Sequence, residues 1–224
     1  MSSEHQEIVA IGDIHGCSKT LQALLDRLDS TIGNSRTYVF LGDYVDRGPD
    51  TKGVIEILLD FASSHSCVFL RGNHDAMLMM AYPGKFMLDW YENGGDATME
   101  SYQKGDAEIP IPDRHLRFFA KTKLYYDTPN WLFVHGGMPP NITIKEALAN
   151  KSLWNSFLWR RDHIESEDNV WEKTVIFGHT PVRTPITGKN KIGIDTGCVY
   201  EHLGKLTALL LPEMDFVQQQ RIDF

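Results

Sequence analysis

Six polar residues carry the donor atoms that metal chemistry needs: Asp13, His15, Asp43, Asn73, His135 and His179. Each follows closely on a short apolar run: Ile8–Ile11, Tyr38–Leu41, Val68–Leu70, Trp131–Val134 or Val175–Phe177. Asp13 and His15 are two positions apart, so in extended backbone their side chains share a face. Carboxylates, imidazoles and an amide oxygen suit Mn, Fe or Zn rather than Ca. No cysteine lies among them, so a structural zinc cage is not expected. Six ligands exceed what one catalytic ion with open positions can take. They fit two ions bridged by one carboxylate, with Asp43 the favoured bridge. Two such ions about 3.5–4 Å apart can clamp a phosphoryl group and make hydroxide from water near neutral pH. Arg47 and Arg71 lie within a few residues of these ligands. A guanidinium offers a phosphate two parallel donors, which a lysine cannot.

Such side chains meet only if the apolar runs are strands that end together. The runs are rich in Val, Ile, Phe and Tyr, as buried strands are. Helical patterns lie between the first three. One is Leu21, Leu24, Leu25 and Leu28, with Ser18 as its cap; the other is Val54, Ile55, Leu58 and Leu59, after Asp50 and Thr51. Asp13 to Asp43 and Asp43 to Asn73 are each 30 residues. That is the length of one strand–helix–strand unit, which makes the strands parallel. Parallel strands share a carboxyl edge, where ligands bind in open α/β sheets. Each cluster also has a glycine beside a proposed ligand, and glycine lets backbone turn off a strand or approach an ion closely.

Met77–Met80 and Phe86–Trp90 read as helical pieces. Pro110 to Asp113 reads as a stop followed by a cap for a helix that buries Leu116 and Phe119. Strand patterns, including Ile192–Ile194 and Leu206–Leu211, dominate from Tyr125 onward. The expected fold class is α/β with more than one sheet. One domain over 1–224 is expected, with a motif-bearing core of about 8–211.

The chain has 224 residues, 22 Lys+Arg against 30 Asp+Glu, and a net charge of −8. That sign argues against a protein that lives on a nucleic-acid backbone, but leaves small anionic sites open. Three cysteines, Cys17, Cys67 and Cys198, do not make a disulfide framework. No apolar run reaches the roughly 18–20 residues of a membrane span. A cytoplasmic protein with no membrane partner is expected.

The segments GDIHG (12–16), GDYVDRG (42–48), RGNHD (71–75), HGG (135–137) and GHT (178–180), in this order, resemble the calcineurin-like metallophosphoesterases. Within them the chain looks like the phosphoprotein phosphatases of the small bacterial and phage type. The resemblance implies a β-sandwich of two mixed sheets flanked by helices, with a bimetallic site at strand ends. It assigns Asp13 and His15 to one metal, Asp43 to both, and Asn73, His135 and His179 to the other. Mn is the favoured ion, with Fe, Zn, Mg or Ni as alternatives. His74 becomes the general acid, oriented by Asp46. Arg47, Arg71 and a further arginine in Leu158-Trp159-Arg160-Arg161 would bind phosphate, with Arg161 favoured over Arg160. The activity so implied is a serine/threonine protein phosphatase acting through a metal-bridging hydroxide. The alternative is a diadenosine tetraphosphate hydrolase. Its relatives tend to lack the second Asp of GDxxDRG and the Arg before GNH, and both Asp46 and Arg71 are present here. A phosphodiesterase and a non-catalytic scaffold rank lower, because every ligand and His74 are retained and no basic stripe is visible.

Overall fold

The computed structural model describes residues 6–82, 87–104 and 110–224. The chain opens with alternating elements: β1 (Ile8–Ile11), α1 (Ser18–Ile32), β2 (Thr37–Phe40), α2 (Thr51–Phe61), β3 (Ser66–Phe69) and α3 (Asn73–Ala81). The three strands pair in parallel, Ile8 opposite Thr37 and Thr37 opposite Ser66, as the repeated spacing predicts. Helix α1 buries Leu21, Leu24, Leu25 and Leu28. Ser18 does not cap it. The Ser18 hydroxyl donates to Asp50 at 2.6 Å, and Asp50 accepts from the Gly53 N–H at 2.9 Å to cap α2. One carboxylate thus ties together the starts of both crossover helices.

Helix α4 (Met87–Trp90) runs through a π-helical turn, Tyr91–Gly95, into α5 (Asp96–Ser101). Phe86, expected to open this helix, lies outside the described residues. Helix α6 (Asp113–Lys121) buries Phe118 and Phe119, while Leu116 is only half-buried. The remaining elements are β4 (Tyr125–Asp127), β5 (Trp131–Val134), α7 (Ile144–Ala149), α8 (Ser156–Trp159), β6 (Thr174–Phe177), β7 (Ile186–Gly188), β8 (Lys191–Gly193), β9 (Lys205–Leu211) and β10 (Asp215–Gln220).

Two mixed sheets result, in the orders β10-β9-β1-β2-β3 and β4-β5-β6-β8-β7. Alternation along β1 shows why they stack. Ile8 and Ala10 face the second sheet, against Phe133, Ile176 and Ile192, whereas Val9 and Ile11 face the α1–α2 layer. Strands with both faces covered need apolar residues at every position, hence the unbroken runs. Helix α7 covers the outer face of the second sheet through Ile144 and Ala147. Each fully buried Leu or Ile contributes about 1.5–3 kcal/mol. Among the described residues no helix is long and apolar enough to cross a membrane.

Candidate active site

The loops after β1, β2 and β3 in one sheet, and after β5 and β6 in the other, deliver the predicted residues to one place. They turn sharply. His15, Asp43, Asp46, Arg47 and His179 have φ of 45°, 52°, 71°, 68° and 65°, a left-handed conformation uncommon outside glycine. Such strain persists only where surrounding structure holds it, and it concentrates at functional sites. Here the N–H groups of Ile14 and His15 donate to the Asp43 carbonyl at 3.1 and 2.9 Å. Asp75 accepts from the N–H groups of Gly72, Asp43 and Tyr44 at 2.8, 2.9 and 3.1 Å, lacing the β2 and β3 loops together. Gly72 lies so close to Asp43 that an added Cβ would collide with its carboxylate and backbone.

Asp43 occupies the centre. Its Oδ2 lies 3.5 Å from His15 Nε2 and 3.4 Å from His135 Nε2. Two groups able to hold an ion share it: His15, Asp43 and His74, and Asp43, His135 and His179. Asn73 Oδ1 is 2.9 Å from His135 Nε2. Nδ1 of His15 and of His135 engage the carbonyls of Val45 and Leu41, at 2.7 and 3.0 Å. This fixes both rings with Nε2 toward Asp43, as carbonyls bonded to the far nitrogen orient histidines around metals. Asp13 sits beside both groups and accepts the His179 N–H at 3.0 Å. Burial, and then Asp195, raise the Asp13 carboxyl well above its usual range.

The donor set suits divalent cations. Burial lowers His15 and His179 to about 3, so both are neutral and offer lone pairs. A guanidinium N–H rests on each: Arg47 Nη1 lies 3.0 Å from His15 Nε2, and Arg161 Nε donates to His179 Nε2 at 3.1 Å. Burial opposes a proton on His135, but Asp43 and then Asp13 outweigh it and raise the ring to about 10. Carboxylates thus draw positive charge to the His135 end of the site, the condition a cation would meet.

His74 and Asp46 form a second unit. His74 Nδ1 lies 2.8 Å from Asp46 Oδ2. Asp46 also accepts from Trp90 Nε1 at 3.0 Å and from Thr98 Oγ1 at 2.8 Å, while its own N–H donates to Thr98 Oγ1. Burial raises Asp46 to about 8 and lowers His74 to about 4. His74 Nδ1 is engaged by Asp46, which leaves Nε2 outside that bond in a residue that lines the cleft. Trp90 and Thr98 were missed in the sequence. Trp90 read as part of a helical piece, and nothing local marks an indole whose N–H serves a residue 44 positions away.

A cleft of about 460 Å³ opens over Asp43, Asn73, His74 and His179, with Arg47 and Arg161 on its walls and Tyr200 and Trp159 at its lip. Arg160 turns instead to Asp162, at 2.6 Å. Arg71 does not reach the cleft. Its guanidinium donates to Thr122 Oγ1 at 3.0 Å and to the carbonyls of Phe119 and Thr122 at 3.3 Å, clamping the end of α6. The expected phosphate role gives way to a packing role because α6 offers a complete acceptor set close by.

Residues 7–223 match the model of the calcineurin-like phosphoesterases. The chain belongs to that family. It is a metallophosphoesterase-type hydrolase, and its two mixed sheets are those the resemblance implied. It is 30% identical to an asymmetrical bis(5'-nucleosyl)-tetraphosphatase, PrpE, of Oceanobacillus iheyensis, covering 94% of this chain and 91% of that one. A relative with the same name from Anoxybacillus flavithermus is 28% identical over 92% and 91%. A crystal structure assigned to a diadenosine tetraphosphatase superposes with a TM-score of 0.67 at 24% identity, covering 100% and 97%, which supports the fold. These findings overturn the expectation of a serine/threonine protein phosphatase, since relatives alike over nearly the whole chain are named for a nucleotide substrate. The presence of Asp46 and Arg71, which argued for phosphomonoesters, does not outweigh that likeness.

Proposed function

We propose that this chain hydrolyses bis(5'-nucleosyl) tetraphosphates asymmetrically, giving a nucleoside triphosphate and a nucleoside monophosphate. The likeness to the tetraphosphatases over 94% of the chain carries this reading. The cleft supports it, because a polyphosphate needs arginines, and Arg47 and Arg161 line the walls. Asp13, His15, Asp43, Asn73, His135 and His179 would hold two divalent cations, with Mn foremost and Fe, Zn, Mg or Ni as alternatives. When bound, such a pair polarises a phosphoryl group and supplies a nucleophile from water. Asp43 would bridge, since its Oδ2 stands between His15 and His135. Arg47 and Arg161 bind the non-bridging oxygens and favour the charge that spreads over them in the transition state. His74 Nε2 gives its proton to the departing nucleotide oxygen, and Asp46 orients the ring. The buried cysteines Cys17 and Cys198 and the half-buried Cys67 are all free, which accords with a cytoplasmic setting.

The test is a product analysis. Metal-stripped protein is reloaded with Mn and given diadenosine tetraphosphate, and the nucleotides are separated by chromatography. Equal ATP and AMP are expected, faster than phosphate release from a phosphopeptide. Two ADP, or a faster reaction on the phosphopeptide, would overturn the proposal.

A further inference from the structure

Beside the catalytic cleft lies a second cavity of about 330 Å³, lined by Met77, Met80, Asp89, Trp90 and Trp159. Trp159 lines both cavities. We infer that this trough seats a nucleobase of the substrate, with the Trp159 indole as its stacking surface. The inference rests on the dinucleotide reading above and gives that substrate's base a place.

Three observations carry it. First, the wall is apolar yet wet: Trp159 is 47% exposed and Met80 54%. Aromatic faces stack on any base, and methionine is a soft, adaptable wall for a flat ligand. Second, the trough adjoins the phosphate site across Trp159. The Trp159 ring stands 6.1 Å from the His179 ring at 85°, and Arg161, two residues on, donates to that same imidazole. A nucleotide whose phosphate meets Arg161 and His179 therefore leads its ribose and base toward Trp159. The end of α8 that carries this indole is anchored, because the Phe157 carbonyl accepts from the Gly136 N–H at 2.5 Å. Third, Trp90 belongs to both units. Its Nε1–H holds Asp46, while the residue also lines the trough. A seated base thus contacts the side chain that orients the acid pair. Asp89 adds a polar element. Its carboxyl oxygens can accept from an N–H on the edge of a base.

The experiment compares ligands that differ only in the base. Binding of AMP and of ribose 5-phosphate to the full Mn-loaded chain is measured by calorimetry. AMP is expected to bind roughly tenfold tighter, the scale of base–aromatic stacking. Trp159→Ala should collapse that ratio toward one, and Trp159→Phe should retain most of it. In kinetics, Trp159→Ala should lose about fivefold more kcat/KM on diadenosine tetraphosphate than on inorganic tripolyphosphate, which has no base. Met80→Ser should move in the same sense by less, and it carries the comparison if the Trp159→Ala protein does not fold. Equal binding of AMP and ribose 5-phosphate to the unaltered chain, or equal losses on both substrates, would overturn the inference. A chain inert toward the tetraphosphate would instead refute the proposed activity, and the AMP comparison would still decide the base site.

Discussion

Replacing His74 with Asn should slow the reaction by an amount set by the leaving group. His74 Nδ1 stands 2.8 Å from Asp46 Oδ2, and two donors, Trp90 Nε1 and Thr98 Oγ1, hold that carboxyl group. The ring is buried and in place, with Nε2 left for the cleft that His74 lines. General acids contribute about 10²–10⁴-fold, following Brønsted behaviour. An alkoxide is a strong base and leaves poorly without a proton. A nucleotide phosphate is a far weaker base and leaves well. The loss of kcat should therefore be near 10²-fold on diadenosine tetraphosphate and approach 10⁴-fold on an alkyl monoester such as phosphoserine. The assay is kcat for both substrates at saturating Mn, with Mn stoichiometry from calorimetry on each protein. His74 also falls within one of the candidate ion-binding groups, so the stoichiometry matters. Equal losses on the two substrates, or one Mn bound where the unaltered chain binds two, would show that His74 is a ligand and refute the acid role.

Other side chains should separate cleanly into packing and chemistry. Arg71→Ala should lower the melting temperature by the equivalent of about 2 kcal/mol, because charged hydrogen bonds to the end of α6 are lost. Its kcat should stay within about threefold, as for a residue outside the site, and a hundredfold loss would return Arg71 to the phosphate. Thr98→Val keeps the shape but removes the hydroxyl that bonds Asp46. Turnover should fall roughly tenfold with Mn affinity unchanged, and weaker Mn binding would contradict a role confined to the acid pair. Glu213 takes two bonds from Arg36, at 2.8 and 2.6 Å, and these lower its carboxyl from 4.5 to about 2. A depressed carboxyl lends stability above pH 4.5 that is lost as pH falls through about 2. Glu213→Gln should cost at most about 1 kcal/mol at pH 7, since the pair is partly solvent-screened, and should match the unaltered chain by pH 2 in chemical denaturation.

Much of the fold was legible because the same spacing recurs. Two equal intervals between Asp13, Asp43 and Asn73 announce parallel strands, and the unbroken apolar runs announce that both faces are covered. Local rules were weaker guides to detail. Ser18 has the right chemistry for a cap, but Asp50 competes for its hydroxyl across the loop. The short β7, three residues long, carries too little pattern to separate from loop, whereas β8 overlaps the apolar Ile192–Ile194 pattern. Arg71 shows the sharper limit. Its place beside Asn73 suggested phosphate, yet side-chain direction at the end of β3 is decided by the acceptors of α6, far away in the chain. Trp90 and Thr98 were invisible for the same reason, since both act on Asp46 through folded proximity alone.

The substrate was misread for a reason that follows from chemistry. The proposed metal ligands and His74 would act on the phosphoryl group or on the oxygen that leaves it. A phosphoserine and a dinucleoside tetraphosphate both present that group, so one centre can serve either. The two substrates differ in what the phosphoryl group carries. On the proposed function, discrimination lies in side chains that would touch the remainder, and three residues at the lip are placed to do so: Trp159 at the end of α8, Asn93 in the π-helical turn, and Tyr200 before β9. They come from segments with no shared spacing and no common motif. The Arg47 guanidinium lies 5.6 Å from the centre of the Tyr200 ring, so an arginine proposed to bind phosphate is aimed in part by a lip residue. A motif can therefore identify the reaction while leaving the substrate open, because selection of the substrate is assembled only when distant loops fold against the same cleft.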